Sequence, residues 1–75
     1  MADFSLDLRG VACPMNFVKT RLFLDKIQTG QSVEVLLDDG EPIESVTASV
    51  QSEGHTIAGS HQAPEGFHKL TILRA

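Results

Sequence analysis

The chain has 75 residues, a formal net charge of −4 and a single cysteine. This length predicts one domain over residues 1–75 and leaves no room for a second core. One cysteine excludes an internal disulfide, and no cysteine–histidine cluster has the spacing of a metal site. The acidic balance argues against binding to nucleic acid and against docking on an anionic membrane. We therefore expect a small domain that is stabilised by its hydrophobic core alone.

The amino-terminal segment carries no recognisable targeting signal. Residues 1–10 lack the basic head and apolar stretch of a signal peptide. No apolar run approaches the roughly 20 residues that a membrane helix needs. We therefore expect a cytoplasmic protein, in a compartment where a lone thiol stays reduced.

The first half of the chain predicts a strand, a helix and a second strand. Alternating apolar and polar residues at 4–8 predict a half-buried strand. After a turn, Pro14 favours the start of a helix, which continues through Ile27 and stops at Gly30. Residues 32–37 are more continuously apolar, which predicts a central strand.

The second half of the chain predicts one helix and two strands. A turn at 38–42 leads into a helix that begins at Ile43, has one apolar face and ends at Gly54. The remaining predicted elements are a strand at 55–59, a turn at 63–66 and a closing strand at 67–73.

The predicted order β-α-β-α-β-β limits the architecture. Two helices can cover only one face of a four-stranded sheet, which gives a two-layer α/β (α+β) sandwich. The first crossover should be parallel and right-handed, whereas the last two strands should form an antiparallel hairpin. The sheet is therefore predicted to be mixed.

Cys13 occupies the predicted junction between a turn and the first helix. If Pro14 is the first helical residue, Cys13 is the N-cap, beside unpaired N–H groups at the positive end of the helix dipole. Both effects stabilise a thiolate and lower the pKa of the thiol, and Arg9 adds positive charge if it folds back. A thiolate at such a corner can attack the sulfur of a persulfide or a disulfide. A buried structural cysteine is the alternative interpretation, which the position beside a proline disfavours.

Residues 6–14, Leu-Asp-Leu-Arg-Gly-Val-Ala-Cys-Pro, together with Arg21 and Gly30, resemble the TusA/SirA family of sulfur-carrier proteins. The resemblance implies a cytosolic sulfurtransferase that holds a persulfide on the cysteine of a Cys-Pro-x-Pro motif. It implies a sulfur-donor enzyme (a cysteine desulfurase or a rhodanese) and a sulfur-acceptor protein as partners, with no cofactor beyond the covalent persulfide. By this resemblance Cys13 carries the sulfur, and Gly10 and Pro14 support the site. We expect a monomer.

The chain departs from the family motif at Asn16, which replaces the second proline. Proline has no N–H, whereas asparagine has one at the third helical position, the usual partner of an N-cap side chain. The backbone N–H of Asn16 is therefore predicted to donate to the sulfur of Cys13. The resemblance does not extend to the identity of the donor and the acceptor, because the start of the helix helps to form the docking surface.

The first predicted helix is apolar on more than one side. Its predicted core stripe consists of Phe17, Thr20, Leu24 and Ile27, with Phe23 at the border. The opposite side carries Met15, Lys19, Leu22 and Lys26. Two interpretations remain open: this side is a basic and apolar face for partner docking, or the helix is rotated and buries one of the two apolar residues.

The remaining polar clusters predict no chemistry. Asp38, Asp39, Glu41 and Glu44 are interpreted as a solvated turn with favourable charge in a first helical turn. The three histidines are scattered, so metal binding is disfavoured. A non-catalytic, redox-sensitive interaction or regulatory module is the alternative function. A thiol peroxidase is disfavoured because the chain has no resolving cysteine.

Overall fold

The computed structural model describes residues 3–12 and 15–75. Its elements confirm the predicted order β-α-β-α-β-β: β1 (Phe4–Asp7), α1 (Met15–Lys26), β2 (Ser32–Asp38), α2 (Glu41–Ser52), β3 (Thr56–Gln62) and β4 (Phe67–Leu73). Cys13 and Pro14 lie outside the described residues. The predictions of an N-cap at Cys13 and of a helix start at Pro14 therefore stay predictions.

The strands form one mixed sheet in the order β1-β2-β4-β3. β1 pairs with β2 in parallel, and β4 runs antiparallel to both β2 and β3. The predicted mixed sheet, the central position of β2 and the closing hairpin are thereby confirmed. Burial alternates strictly along β2, because only one face of the sheet is covered by helices.

The core lies between this sheet face and the two helices. It is entirely aliphatic and consists of Leu8, Leu24, Ile27, Val33, Val35, Leu37, Val46, Val50, Leu70 and Ile72. The sheet contributes alternate residues of β2 and β4, and α2 contributes Val46 and Val50, one turn apart. Leu24 of α1 and Ile27, which follows α1, pack beside them. The predicted two-layer sandwich is confirmed.

Two element boundaries, the end of β3 and the start of α2, differ from the sequence-based expectation by more than one residue. β3 continues to Gln62 because β4 pairs with it along its length, up to the pair of Gln62 and His68. Its polar residues give no strand pattern of their own, so the partner strand decides where β3 ends. α2 begins at Glu41 instead of Ile43, since a proline at position 42 fits the first turn of a helix.

The buried side of α1 differs from the predicted stripe by one residue. Asn16, Thr20 and Leu24 are the buried residues of α1, whereas Phe17 is only half-buried and packs at the edge of the core. The hydroxyl of Thr20 donates to the carbonyl of Asn16 over 2.8 Å, which allows this polar side chain to be buried. Phe23 also lies at the edge, where its ring contacts Phe4 edge to face at a centroid distance of 5.8 Å. Two fully buried positions of α1 are thus occupied by the compact polar side chains of Asn16 and Thr20, and the rings of Phe17 and Phe23 pack at the edge of the core.

Candidate functional site

The loop that leads toward Cys13 begins at the carboxyl end of the parallel strand pair. Because β1 and β2 are parallel, they end at the same edge of the sheet, and α1 and α2 follow from there. The backbone N–H of Leu8 extends the pairing by donating to the carbonyl of Leu36 over 2.8 Å. This edge is where open α/β sheets commonly place their functional groups.

Residues 8–12 of this loop are fixed at several points. The N–H of Val11 donates to the carbonyl of Leu8 over 3.1 Å, which closes a tight turn. Gly10 lies within the turn with a φ of 79°, a conformation that residues with a side chain rarely adopt. Its N–H donates to Oδ2 of Asp38 over 2.8 Å, so the loop is attached to the end of β2. Gly10, predicted from the resemblance to support the site, thus has a defined structural task in the loop.

Arg9 is engaged by two neighbours within the described residues. Its Nε and Nη2 donate to the two carboxylate oxygens of Asp7 over 3.0 and 2.8 Å, and its guanidinium lies 4.7 Å from the centroid of the Phe67 ring. The side-chain hydrogen bond from Arg9 lowers the pKa of Asp7 to about 2, and Asp7 in turn raises the pKa of Arg9. Arg9 thus joins the loop to the start of β4, and Asp7 pairs with its charge. The expectation that Arg9 adds positive charge beside Cys13 stays a prediction, because Cys13 lies outside the described residues.

The backbone N–H of Asn16 has an acceptor other than the one predicted. It donates to the carbonyl of Ala12, four residues earlier, over 3.1 Å. The prediction that this N–H serves the sulfur of Cys13 is corrected for that reason. The side chain of Asn16 is fully buried, and its Oδ1 accepts a 2.7 Å hydrogen bond from the N–H of Phe17.

The amino ends of the two helices differ in their charges. The first turn of α2 carries Glu41 and Glu44, which compensate the positive end of its dipole. The described first turn of α1 contains no acidic residue, and its last turn ends with Lys26. The amino end of α1, next to Cys13 in the chain, therefore keeps a positive potential that no acidic side chain of its first turn offsets.

One face of α1 is exposed and mixes apolar with basic side chains. Met15 and Leu22 are 50% and 55% exposed, and Lys19 and Lys26 are exposed beside them. Spacings of four, three and four residues place these four on one helical face. The alternative of a rotated helix that buries Met15 or Leu22 is wrong. Sequence reasoning missed Val18, which is 37% exposed on the same face. Val18 follows Met15 by three residues, a spacing that places both side chains on the same side of a helix, so its exposure could have been predicted from the sequence.

The acidic turn after β2 makes more contacts than a solvated turn would. Asp38 binds the loop at Gly10, and the carboxylate of Asp39 accepts from Nε2 of Gln62 over 2.9 Å. The other oxygen of Asp39 lies 3.3 Å from Nδ1 of His68, whose Nε2 is 2.7 Å from the hydroxyl of Ser60. These contacts correct the prediction for Asp38 and Asp39, because their carboxylates join β2 to the loop and to the closing hairpin. Glu44 lies in the first turn of α2 as predicted, whereas Glu41, expected in the turn before the helix, is the first residue of α2.

Over residues 3–12 and 15–75, the His, Cys, Asp and Glu side chains form no group of three that could hold a metal ion. No helix in the same residues has both the length and the apolar character needed to cross a membrane.

In the sequence, Cys13 stands between two described parts of a two-layer α+β domain: the loop of residues 8–12 and the helix α1, which is described from Met15. The sequence profile of the family described as "Sulfurtransferase TusA" matches residues 4–74. The chain therefore belongs to the TusA sulfurtransferase family.

Individual relatives are similar over most of the chain. A "Putative sulfur carrier protein" of Archaeoglobus fulgidus is 33% identical over 73 residues, which is 97% of this chain and 83% of the relative. The "Putative sulfur carrier protein YrkI" of Bacillus subtilis is 35% identical over 65 residues, 87% of this chain and 84% of the relative. The crystal structure of a SirA-like protein from Desulfitobacterium hafniense superposes with a TM-score of 0.83 at 20% identity, covering 93% of this chain and 95% of the other. This last similarity establishes the fold.

Proposed function

We propose that the chain is a persulfide carrier that accepts sulfane sulfur on Cys13 and relays it to an acceptor protein. The observation that carries this proposal is the amino end of α1, whose described first turn contains no acidic residue. It adjoins the chain's single cysteine in a member of a sulfurtransferase family. A positive helix end favours a thiolate, which is the nucleophilic form of cysteine. The names of the relatives as sulfur carriers support the same role.

The transfer chemistry requires no cofactor. The thiolate of Cys13 attacks the outer sulfur of a persulfide on the donor enzyme, and the bond between the donor's two sulfurs breaks. The donor cysteine leaves as a thiolate, while the outer sulfur and its proton move to Cys13. An acceptor thiolate then attacks this outer sulfur, and Cys13 leaves as a thiolate. Each step exchanges one sulfur–sulfur bond for another, so no external oxidant or reductant is consumed.

The fixed loop supports this role by limiting the motion of the chain before Cys13. Gly10 is attached to β2 through Asp38, and Arg9 is held by Asp7 and Phe67. Restricting the segment that leads to a nucleophile reduces the number of orientations to be lost when a partner docks, which favours transfer between two thiols.

The exposed face of α1 has the properties of a surface that binds the donor and the acceptor protein. Met15, Val18 and Leu22 offer apolar surface beside the amino end of the helix, and Lys19 and Lys26 add positive charge. Apolar contact stabilises a complex and peripheral charge accelerates its formation, so this face suits brief contacts with a donor and an acceptor in turn. We further propose that the chain acts as a monomer in the cytoplasm, where its thiol stays reduced between transfers.

A sulfane-sulfur assay tests the relay. The chain is incubated with thiosulfate and a rhodanese, separated from both, and then treated with cyanide, which converts a persulfide into thiocyanate. About one thiocyanate per chain is expected from the 1:1 chemistry of one persulfide. No thiocyanate with this donor, nor with a cysteine desulfurase and cysteine, would favour the regulatory-module alternative.

A further inference from the structure

Ser60, His68 and Asp39 form a chain of hydrogen bonds across three elements of the fold. Nε2 of His68 lies 2.7 Å from the hydroxyl of Ser60, and Nδ1 of the same ring lies 3.3 Å from Oδ1 of Asp39. Ser60 belongs to β3, His68 belongs to β4, and Asp39 follows β2. A hydroxyl, an imidazole and a carboxylate connected in this order are the parts of a serine nucleophile, its base and the group that orients the base.

The contact with Asp39 determines which nitrogen of His68 carries the proton. A carboxylate only accepts hydrogen bonds, so Nδ1 is the protonated nitrogen when it binds Asp39. In the neutral imidazole Nε2 is then an acceptor, and the hydroxyl of Ser60 donates to it. The second oxygen of Asp39 accepts from Nε2 of Gln62 over 2.9 Å, which holds the carboxylate in place. Each group thus has the hydrogen-bonding role that proton transfer from Ser60 to His68 requires.

The cluster lies between the core and the solvent. His68 precedes the core residue Leu70 by two residues, so it lies on the sheet face that the helices cover, and only 20% of its side chain is exposed. Ser60 pairs with Leu70 and therefore lies on the same face, but it is exposed on the edge strand β3. The base is thus partly shielded from water, while the nucleophile is accessible to a substrate.

The free edge of β3 supplies donors for a negatively charged oxygen. The N–H of Ala63 donates to the carbonyl of Phe67 over 2.7 Å, so these two residues form a hydrogen-bonded pair. Bonded and non-bonded pairs alternate along an antiparallel ladder, which directs the backbone N–H groups of Ser60 and Gln62 away from β4. In the described part of the chain, no strand lies beyond β3. These N–H groups are available to the oxyanion that forms when a serine attacks a carbonyl group.

We propose that Ser60 is a nucleophile that takes the acyl group of an activated ester or thioester, with His68 as its general base. The hydroxyl proton moves to Nε2 of His68 while Oγ of Ser60 bonds to the carbonyl carbon. The bond to the leaving group then breaks, and the leaving group departs with the proton from Nε2. Water attacks the acyl-serine with His68 again as the base, which releases a carboxylic acid and restores Ser60. Asp39 is a positioning residue, which orients the imidazole and stabilises its charged form.

The exposed position of Ser60 defines the class of substrate. Its hydroxyl lies on an edge strand, so the acyl group contacts the site and the leaving group stays in water. Water weakens the stabilisation that hydrogen-bond donors give to developing negative charge. We therefore expect substrates with a good leaving group, such as a thiol or a nitrophenol. This activity is separate from sulfur transfer and does not depend on it.

The test measures hydrolysis of p-nitrophenyl acetate and labelling by a fluorophosphonate, which reacts with activated serines. Both assays use Cys13→Ala, because a thiol also takes acetyl groups. We expect nitrophenol release above the buffer rate and one fluorophosphonate adduct, which peptide mapping places on Ser60. In the same background, Ser60→Ala should abolish both reactions, and His68→Gln should slow both about 100-fold. The matched control is Ser52→Ala, which alters an exposed serine of α2 and should keep both rates.

The positioning role of Asp39 is tested by the nitrogen NMR shifts of the His68 ring, which report the tautomer. We expect the Nδ1–H tautomer in Cys13→Ala, and loss of this preference together with slower labelling when Asp39→Asn is added. An unchanged tautomer would contradict the role of Asp39.

Three results would overturn the proposal as a whole: no labelling of folded Cys13→Ala, labelling at a residue other than Ser60, or equal rates with and without Ser60→Ala. The cluster would then serve only to connect β2 with the closing hairpin. If His68→Gln fails to fold, the comparison of Ser60→Ala with Ser52→Ala decides, because both alter exposed hydroxyl groups.

Discussion

The carboxylate of Asp38 accepts a 2.8 Å hydrogen bond from the backbone N–H of Gly10. This contact joins residues 28 positions apart and links the end of the central strand to the loop before Cys13. Gly10 donates to Asp38 from a backbone conformation with positive φ, which costs conformational free energy for residues that have a side chain. The position of the cysteine loop therefore depends on the acidic turn after β2 as well as on the cysteine motif itself.

Replacing Asp38 with alanine should destabilise the domain by about 1 kcal/mol, because it leaves the Gly10 N–H without its charged acceptor at a partly exposed site. Asp38→Asn keeps a carbonyl oxygen at the same place and serves as the matched control. Urea unfolding of the three proteins provides the measurement. Equal stability of the alanine and asparagine variants would show that the contact contributes nothing to the fold.

The Asp7–Arg9 pair predicts that the free energy of unfolding depends on pH at acidic pH values. Its hydrogen bonds lower the pKa of Asp7 from 3.8 to about 2 in the folded protein, so folding favours the charged carboxylate. This contribution to stability is complete above pH 3.8 and is lost as the pH falls through the folded value of about 2. We expect the advantage of the unsubstituted protein over Asp7→Asn to shrink across this range in unfolding measurements. Two parallel stability curves would contradict the assignment.

Charge reversal on the exposed face of α1 should slow sulfur transfer without altering the thiol. We expect Lys19→Glu with Lys26→Glu to lower the rate of loading from a thiosulfate-charged rhodanese by about tenfold at low salt, with a smaller loss at high salt. Iodoacetamide reactivity of Cys13 should change much less than the loading rate. The matched control is Lys69→Glu, an exposed lysine of β4. A loading rate that is the same for all three proteins at low salt would remove the docking assignment.

The sequence was sufficient to predict the order of the elements because most of them carry their own pattern. The alternation in β1, the apolar run in β2 and the apolar face of α2 are all visible in the local sequence. The boundary of β3 was missed because its polar residues take their strand conformation from the pairing with β4. A single sequence contains no direct signal for such a partner.

The contacts around the candidate site were harder to predict than the motif. The cysteine motif is recognisable from its residue types, whereas the contact of Arg9 with Phe67 depends on where β4 begins. Burial of Asn16 was missed because a polar side chain beside Phe17 is assigned to the solvent side by any hydrophobicity pattern. Its burial follows from the packing of α1 onto the sheet, which is a tertiary effect.

The most direct test of the central claim is the intact mass of the chain after incubation with a cysteine desulfurase and cysteine. The carrier function predicts that the unsubstituted protein gains the mass of one sulfur atom and that a reductant removes it. Cys13→Ser should stay folded and gain no mass, because the chain has no other cysteine. Sulfur bound to the serine variant, or none on the unsubstituted protein with this donor and with thiosulfate and a rhodanese, would contradict the proposal that Cys13 carries sulfur.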